Sequence, residues 1–309
     1  MNNVLVVNHL QQQCGVYQYG KNTVGVLEKS IKYNFIYAEC ANLNDLIMYV
    51  KKYVPIAIIY NYHVSTLGWV NDGTIRQLRP IKQLSIQHEP HQPQPAGIDA
   101  IISQDPSQLE WGNHFSVPRI LHDFNGVVEE PAELTFGTFG FGMAGKGFDR
   151  IVEQVCQEFD QATIRMHIPF AHFGDQSGAQ ARNWANLARS KVSKPGITLI
   201  IDHDWFTKDQ LLQFLANNSM NVFMYDSFTL DRGVTAVLDF SLSVPRPIAI
   251  TKSFMFQHVW KLVPETLIED SSLTEILTKG IAPLAPLYKA WSHDEFIRSY
   301  ERILNTVCQ

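Results

Sequence analysis

Short apolar runs rich in β-branched residues, each followed by a longer amphipathic stretch, recur along the whole chain and do so in two blocks. That alternation is the pattern of βαβ units. A strand buried on both faces reads as an unbroken apolar run, and its crossover to a parallel neighbour takes a helix. In the first block, strands are expected at residues 4–7, 34–37, 56–60, 83–87, 100–103 and 119–122, with helices over 16–29 and 43–52. The stretch GVVEEPAE at 126–133 is polar, acidic and interrupted by Pro131, and reads as a linker. The second block restarts the rhythm with strands at 134–139, 163–168, 197–201, 221–225 and 248–250, and helices at 147–159, 179–190, 208–217 and 233–243. The expectation is an α/β chain of two Rossmann-like, doubly wound domains, 1–129 and 130–290, the second of which reads as a complete doubly wound domain that binds ligands at the carboxyl ends of its strands. A length of 309 residues suits that division. Residues 291–309 form a last helix: Ser292 and Glu295 have capping-box spacing, and Phe296, Ile297, Tyr300, Ile303, Leu304 and Val307 make one apolar stripe.

Composition narrows the function classes. Hydrophobic residues at 45% and charged residues at 18% are ample for two buried cores and argue against disorder. A net charge of −5 with no basic run disfavours a nucleic-acid partner. Cys14, Cys40, Cys156 and Cys308 form no CxxC pair and suit a reducing cytoplasm. The start, MNNVLVVNHL, lacks the basic n-region and apolar length of a signal peptide, and no window reaches the length of a membrane span. A cytoplasmic protein is expected, with peripheral membrane contact left open.

The segment TFGTFGFGMAGKGFDRIVEQV runs from a strand through glycines and Lys146 into a helix, an arrangement of free N–H groups and helix N-terminus that attracts phosphate. Three phosphate-binding readings compete with a plain tight turn. Gly140, Gly142 and Gly145 satisfy GxGxxG, but the next strand ends Met166-His167-Ile168-Pro169 without the acid a dinucleotide site uses. Gly140 to Lys146 spells GxxxxGK, but Gly147 stands where a P-loop needs Ser or Thr, although TLIID ending at Asp202 imitates the second nucleotide motif. A diphosphate loop of a glycosyltransferase makes no demand that the sequence fails.

The stretch NVFMYDSFTLDRGVTAVLDFSLSVPRPIAIT, 221–251, resembles the donor-binding segment of family-4-type retaining glycosyltransferases of the GT-B fold. Asp231 and Asp239 stand at the spacing of that family's E-x7-E motif, Gly233 lies in the intervening turn, and Pro245 to Ala249 leads into the following strand. The turn His9–Gly15 resembles the family's glycine turn after the first strand, and His88 in SIQHEPH stands where the family has a histidine beside the donor sugar. A metal at His88-Glu89-Pro90-His91 is not expected, because the spacing is not HExxH and Pro90 breaks the helix that motif uses.

The resemblance implies a hexosyltransferase-like enzyme taking sugar from a UDP- or GDP-type donor as co-substrate, with no tightly bound cofactor. The acceptor it implies is a glycan, a lipid-linked glycan or another hydroxyl compound. It assigns catalysis to His88, Lys146 and Asp231. It assigns donor binding to Gly15, Lys146, Gly147, Asp231, Arg232, Gly233, Val234, Thr235 and Asp239, with the 233–235 amides at a helix start and the last helix packing back toward the first domain. Two departures stand out. Both motif glutamates are aspartates, and Phe141 occupies the place of the arginine five residues before the lysine, a charge Arg232 could replace. They keep a catalytically weakened sugar-nucleotide-binding partner open as a second reading, beside the P-loop NTPase.

Overall fold

The computed structural model describes residues 1–12, 14–171, 174–226 and 233–309. Its first sheet is built from β1 (Asn2–Asn8), β2 (Tyr33–Glu39), β3 (Ala57–Tyr60), β4 (Lys82–Gln87), β5 (Ala100–Ser103) and β6 (His114–Ser116), in the order β2-β1-β3-β4-β5-β6. The second holds β7 (Thr135–Phe139), β8 (Ala162–His167), β9 (Ile197–Asp202), β10 (Met220–Phe223) and β11 (Ile248–Ile250), in the order β11-β10-β7-β8-β9. Every pairing within them is parallel. The chain divides into two compact units. One comprises Met1–Ile120, residues 233–234 and Ala290–Gln309; the other comprises the described part of 121–226 and Thr235–Lys289.

In the first unit, period-two alternation sends neighbouring residues of β1 to opposite faces. Val4 and Val6 join a core with Val24 and Leu27 of the helix Gly15–Leu27 and with Phe296, Tyr300, Ile303 and Leu304 of the helix His293–Val307. Leu5 and Val7 face the other way, onto Leu46 of the helix Leu43–Tyr53 and Ile75 of the helix Asp72–Gln77. With both faces covered, a one-residue slip in register would exchange the two cores, so the hydrophobic pattern fixes the pairing. In the second unit Phe136, Ile164, Met166 and Val222 pack under Ile151, Val152 and Val155 of the helix Phe148–Glu158 and under the small residues Ala181, Ala185 and Ala188 of the helix Ala179–Ser190.

Two expected elements form differently. The strand expected at 119–122 is absent, and β6 lies earlier, at His114–Ser116. Pro118 removes a ladder donor just after it, and Arg119 is drawn into the interior, where it donates to the Gln104 carbonyl at 2.9 Å and side-chain oxygen at 2.8 Å. The helix expected at 233–243 is shorter, Val237–Leu242. Gly, Val and Thr are poor first-turn residues, and the Thr235 N–H donates instead to the Met255 carbonyl at 3.3 Å.

One capping position is strained. Val54 closes the helix Leu43–Tyr53 in the left-handed region, at φ 46° and ψ 61°, with its side chain 78% exposed. A β-branched residue there suffers a steric cost of about 1–2 kcal/mol, partly offset because glycine frees the unfolded chain. Val54→Gly is therefore expected to stabilise the protein by about 0.5–1 kcal/mol, read as a rise in melting temperature. A fall would mean that the exposed valine contributes packing instead.

Candidate functional site

In the second unit β7 and β10 are neighbours at the point where the strand order reverses, and such a switch point opens a crevice outside the carboxyl ends of the strands. The glycine-rich loop leaves β7 there and is tied to the end of β10. The Asp226 N–H donates to the Gly145 carbonyl at 2.9 Å. Arg150, in the first turn of the helix Phe148–Glu158, reaches back to the Met224 carbonyl and pairs with Asp226 at 2.5 Å. Gly147 has φ +67°, and a Cβ on it would stand 2.0 Å from the Met224 carbonyl oxygen, so only glycine fits. The helix that follows has no side-chain cap, leaving its first-turn N–H groups facing the loop, with Asp149 among them.

Lys146 lies over this crevice. Its ammonium donates to the Tyr225 hydroxyl at 2.6 Å and sits 3.9 Å from the centre of the same ring. Burial pushes the Tyr225 phenol well above its ordinary range, although a hydrogen bond from Thr235 acts the other way. The phenol therefore stays neutral and holds the ammonium without cancelling its charge. A cation held in place on the loop that leads into an uncapped helix N-terminus can attract an anionic group.

The neighbouring strand ends bear on the P-loop reading. Asp202 ends β9, which β8 separates from β7, so this acid stands two strands from the glycine loop. It lies 3.4 Å from Nδ1 of buried His167 at the end of β8. Burial lowers His167 to about 4 against the pull of Asp202.

In the first unit the switch point falls between β1 and β3, whose ends carry Asn8 and Asn61. These begin a buried chain of hydrogen bonds. The Asn61 amide nitrogen donates to Asn8 Oδ1 at 2.9 Å and to the Val16 carbonyl at 2.6 Å. The Asn61 oxygen is then left to accept from His88 Nε2 at 2.7 Å, while Gln104 Nε2 donates to His88 Nδ1 at 2.7 Å and Arg119 orients Gln104. At the other end Asn8 Nδ2 donates to the Tyr37 hydroxyl at 3.0 Å, and Tyr37 and Tyr17 both donate to Glu39. The network assigns His88 the neutral Nε2–H tautomer, in accord with burial pushing it down to about 3, with His63, Arg119 and His9 adding to the effect.

The expected site residues fall into these two places. Lys146, Gly147 and Thr235 gather around Tyr225 in the second unit. In the first, His88 directly follows β4 with both ring nitrogens engaged, and a Cβ on Gly233 would come within 1.8 Å of its carbonyl oxygen. Val234 is buried there as well. Gly15 opens its helix, and a Cβ added to it would meet no atom within 4 Å. Asp239 is buried in the helix Val237–Leu242. Asp231 and Arg232 lie outside the described residues. The amides of 233–235 precede that helix rather than forming its first turn, because it starts at Val237. Among the described residues no His, Cys, Asp and Glu cluster could hold a metal ion, and no helix is long and apolar enough to cross a membrane. The sequence reading missed Tyr225, Asn8, Asn61 and Gln104; the available signal was a polar or aromatic residue directly ending an apolar strand run.

The most strongly depressed imidazoles, His88 and His167, give the stability a direction with pH. His88 and His167 are neutral in the folded chain down to about 3 and about 4, whereas unfolded histidine takes up a proton near 6.5. The unfolded state therefore binds more protons as pH falls below 6.5. The contribution of these residues is complete above that value and drains away toward their folded values. The melting temperature is expected to drop steadily from pH 7 to pH 4, and His88→Gln is expected to flatten the slope. An unchanged slope in the variant would exclude His88 as its source.

No protein-family profile and no curated protein matches the sequence. Solved structures do. A glycosyltransferase from Rickettsia africae ESF-5 is similar with a TM-score of 0.69 at 9% identity, over 100% of this chain and 99% of that one. Anabaena Alr3699/HepE, solved in complex with UDP and glucose, is similar at 0.66 and 9% identity, over 99% and 100%. AviGT4, a glycosyltransferase involved in avilamycin A biosynthesis, is similar at 0.68 and 12% identity, over 100% and 98%. The likeness runs over the whole length of each, and it shows the fold class: α/β with two parallel sheets, matching these GT-B glycosyltransferases.

Proposed function

We propose that this GT-B chain is a retaining glycosyltransferase that moves a hexose from a UDP- or GDP-type sugar to a hydroxyl acceptor. The observation that carries the proposal is Lys146, held on the neutral Tyr225 phenol at the switch point of the second sheet beside uncapped helical N–H groups. The solved complex of HepE with UDP and glucose supports the same class of donor. In this reading residues 130–290 bind the donor, 1–129 serve the acceptor and 291–309 return to the first domain. The four free thiols fit a cytoplasmic setting.

The roles follow from charge and position. Lys146 stabilises the departing diphosphate as the glycosidic C–O bond to it breaks. Arg232 adds a second positive charge, and the amides of Gly15, Gly147, Gly233 and Val234 receive phosphate oxygens. Asp231 accepts from sugar hydroxyls and Asp239 from the ribose. The acceptor hydroxyl attacks C1 on the face the phosphate leaves, and its proton passes to the leaving phosphate oxygen, so the configuration is kept and no protein base is consumed. His88, with both ring nitrogens engaged, acts by positioning the β4 end rather than by transferring a proton. Most of the rate then comes from fixed charge and orientation.

Proton NMR of the sugar released from an α-linked nucleotide sugar, with water or an acceptor, tests the reaction. The α-anomer appearing first supports retention, and the β-anomer first overturns it. Donor binding with no release over a broad acceptor panel would favour the binding-partner reading. Gly15 supplies an independent check. Since a Cβ there meets nothing, Gly15→Ala is expected to leave the melting temperature unchanged while weakening donor binding about tenfold, or ~1.4 kcal/mol. Unchanged donor affinity would remove this turn from the site.

A further inference from the structure

We infer that the first unit takes an uncharged polyhydroxy acceptor, such as a sugar or glycan end, and rejects sugar phosphates and uronates. The inference rests on the transferase reading above and deepens it. The loops leaving the carboxyl ends of β1 to β5, at 9–14, 40–42, 61–71, 88–96 and 104–113, contain no lysine and no arginine. Among the described residues the cations of this unit stand elsewhere, as Lys82 does at the start of β4 and Lys29 just past the end of the helix Gly15–Leu27. Arg119, which does approach this edge, is fully buried and gives Nη1 to both oxygens of Gln104.

What the edge offers instead is neutral or negative. His9 is held below its ordinary pKa by burial first and by His63 next, against the pull of Glu39. Glu89 stands 3.9 Å from His63, and Glu39 closes the polar chain at the end of β2. Gln11, Gln12, Gln92 and Gln94 add amide side chains to the same loops. Four buried polar atoms in these loops, His9 Nε2, Trp69 Nε1, Gln92 Oε1 and Gln94 Nε2, have no hydrogen-bond partner among the described residues, three of them nitrogens and one an acceptor oxygen. His9 and Gln92 belong to one neighbourhood, since Gln92 Nε2 donates to the Tyr62 carbonyl at 3.0 Å and His63 acts electrostatically on His9.

A hydroxyl group both donates and accepts, so a polyol satisfies such a mixed set. A phosphate or carboxylate only accepts, and here it would lose hydration beside carboxylates without gaining a cation from the described residues. Like charges brought together in this way discriminate strongly between partners.

The test uses the full chain and matched acceptors: glucose, glucose 6-phosphate and glucuronate, then a disaccharide series of the same kind. The nucleotide that stabilises the protein is identified first, and its hexose conjugate serves as donor. Diphosphate release above the acceptor-free rate is followed. The neutral member of each set is expected to be used at least about tenfold better, with an acceptor KM that changes less than about twofold between about 20 and about 300 mM salt. Charged members used equally or better, or no discrimination in rate or binding within any set, overturns the inference. Failure of every nucleotide to stabilise the protein would instead sink the transferase reading itself. As a second arm, Gln11→Lys places a cation at an exposed position of this edge. It is expected to raise use of the phosphorylated member at least about fivefold, or ~1 kcal/mol, and the absence of any gain would show that edge charge is not what excludes anions.

Discussion

Lys146→Ala is expected to lower kcat by about 10²–10³-fold, the usual cost of losing a fixed donor to charge that develops in the transition state. Lys146 is the sole cation of the loop 140–147. Arg150, the nearest following one, is already committed to Asp226 and the Met224 carbonyl. The loss should fall mainly on kcat, because leaving-group charge grows as the sugar departs, with a smaller effect on donor KM. Stability should change little, since an ammonium on a tyrosine ring contributes about 1 kcal/mol. Lys146→Arg is expected to recover only part of the rate: a planar guanidinium cannot take the position of a compact ammonium 2.6 Å from the Tyr225 hydroxyl. Steady-state kinetics with a nucleotide sugar decide the point, and near-wild-type turnover would remove Lys146 from the mechanism.

Gly147→Ala should do comparable damage by another route. The residue sits at φ +67° with the Met224 carbonyl oxygen 2.0 Å from where a Cβ would be. Left-handed backbone alone costs about 1–2 kcal/mol for alanine. The contact adds to it, because its partner is backbone at the end of β10 and cannot rotate away. A total of about 3 kcal/mol or more is expected, with the melting temperature of the second unit falling by about 6–12 °C. Donor binding should fail along with it, since loop and strand end must separate. Gly15→Ala, with open space around it, is the internal control for the melting temperature. If Gly147→Ala kept both its melting temperature and its nucleotide affinity, the fit of the loop against β10 would not matter to the site.

The strands were legible because both faces of each parallel sheet are covered, and so they appear in the sequence as short unbroken apolar runs. Residues 100–103 and 248–250 coincide with β5 and β11. The failures have local causes. At 119–122 an apolar flank concealed Arg119, whose partners on Gln104 lie fifteen residues away and decide its path. At 233–236 helical spacing continued past the point where Thr235 finds the Met255 carbonyl. The capping box at Ser292 formed by half. The hydroxyl accepts from the Glu295 N–H at 3.3 Å, but the Glu295 carboxylate pairs with Arg298 at 2.6 Å.

The glycine loop and Lys146 could be singled out because phosphate chemistry leaves a local pattern. Tyr225 could not, because its meeting with Lys146 spans 79 residues and depends on sheet order. The chain from Glu39 through Asn8, Asn61 and His88 to Arg119 is tertiary in the same sense. Each member looks like an ordinary polar residue, and only the switch point at β1 and β3 brings them into one line. His88 was visible as a position, but the engagement of both its nitrogens was not.

Nucleotide binding tests the central claim most directly, as the thermal shift of the purified protein with UDP, GDP, ADP, NAD, and ATP plus magnesium. A ligand present at about 100 times its dissociation constant adds about 2.7 kcal/mol of stability. Stabilisation by UDP or GDP without magnesium, lost in Gly147→Ala, is the result this account predicts. Stabilisation only by ATP with magnesium, or only by NAD, would contradict it.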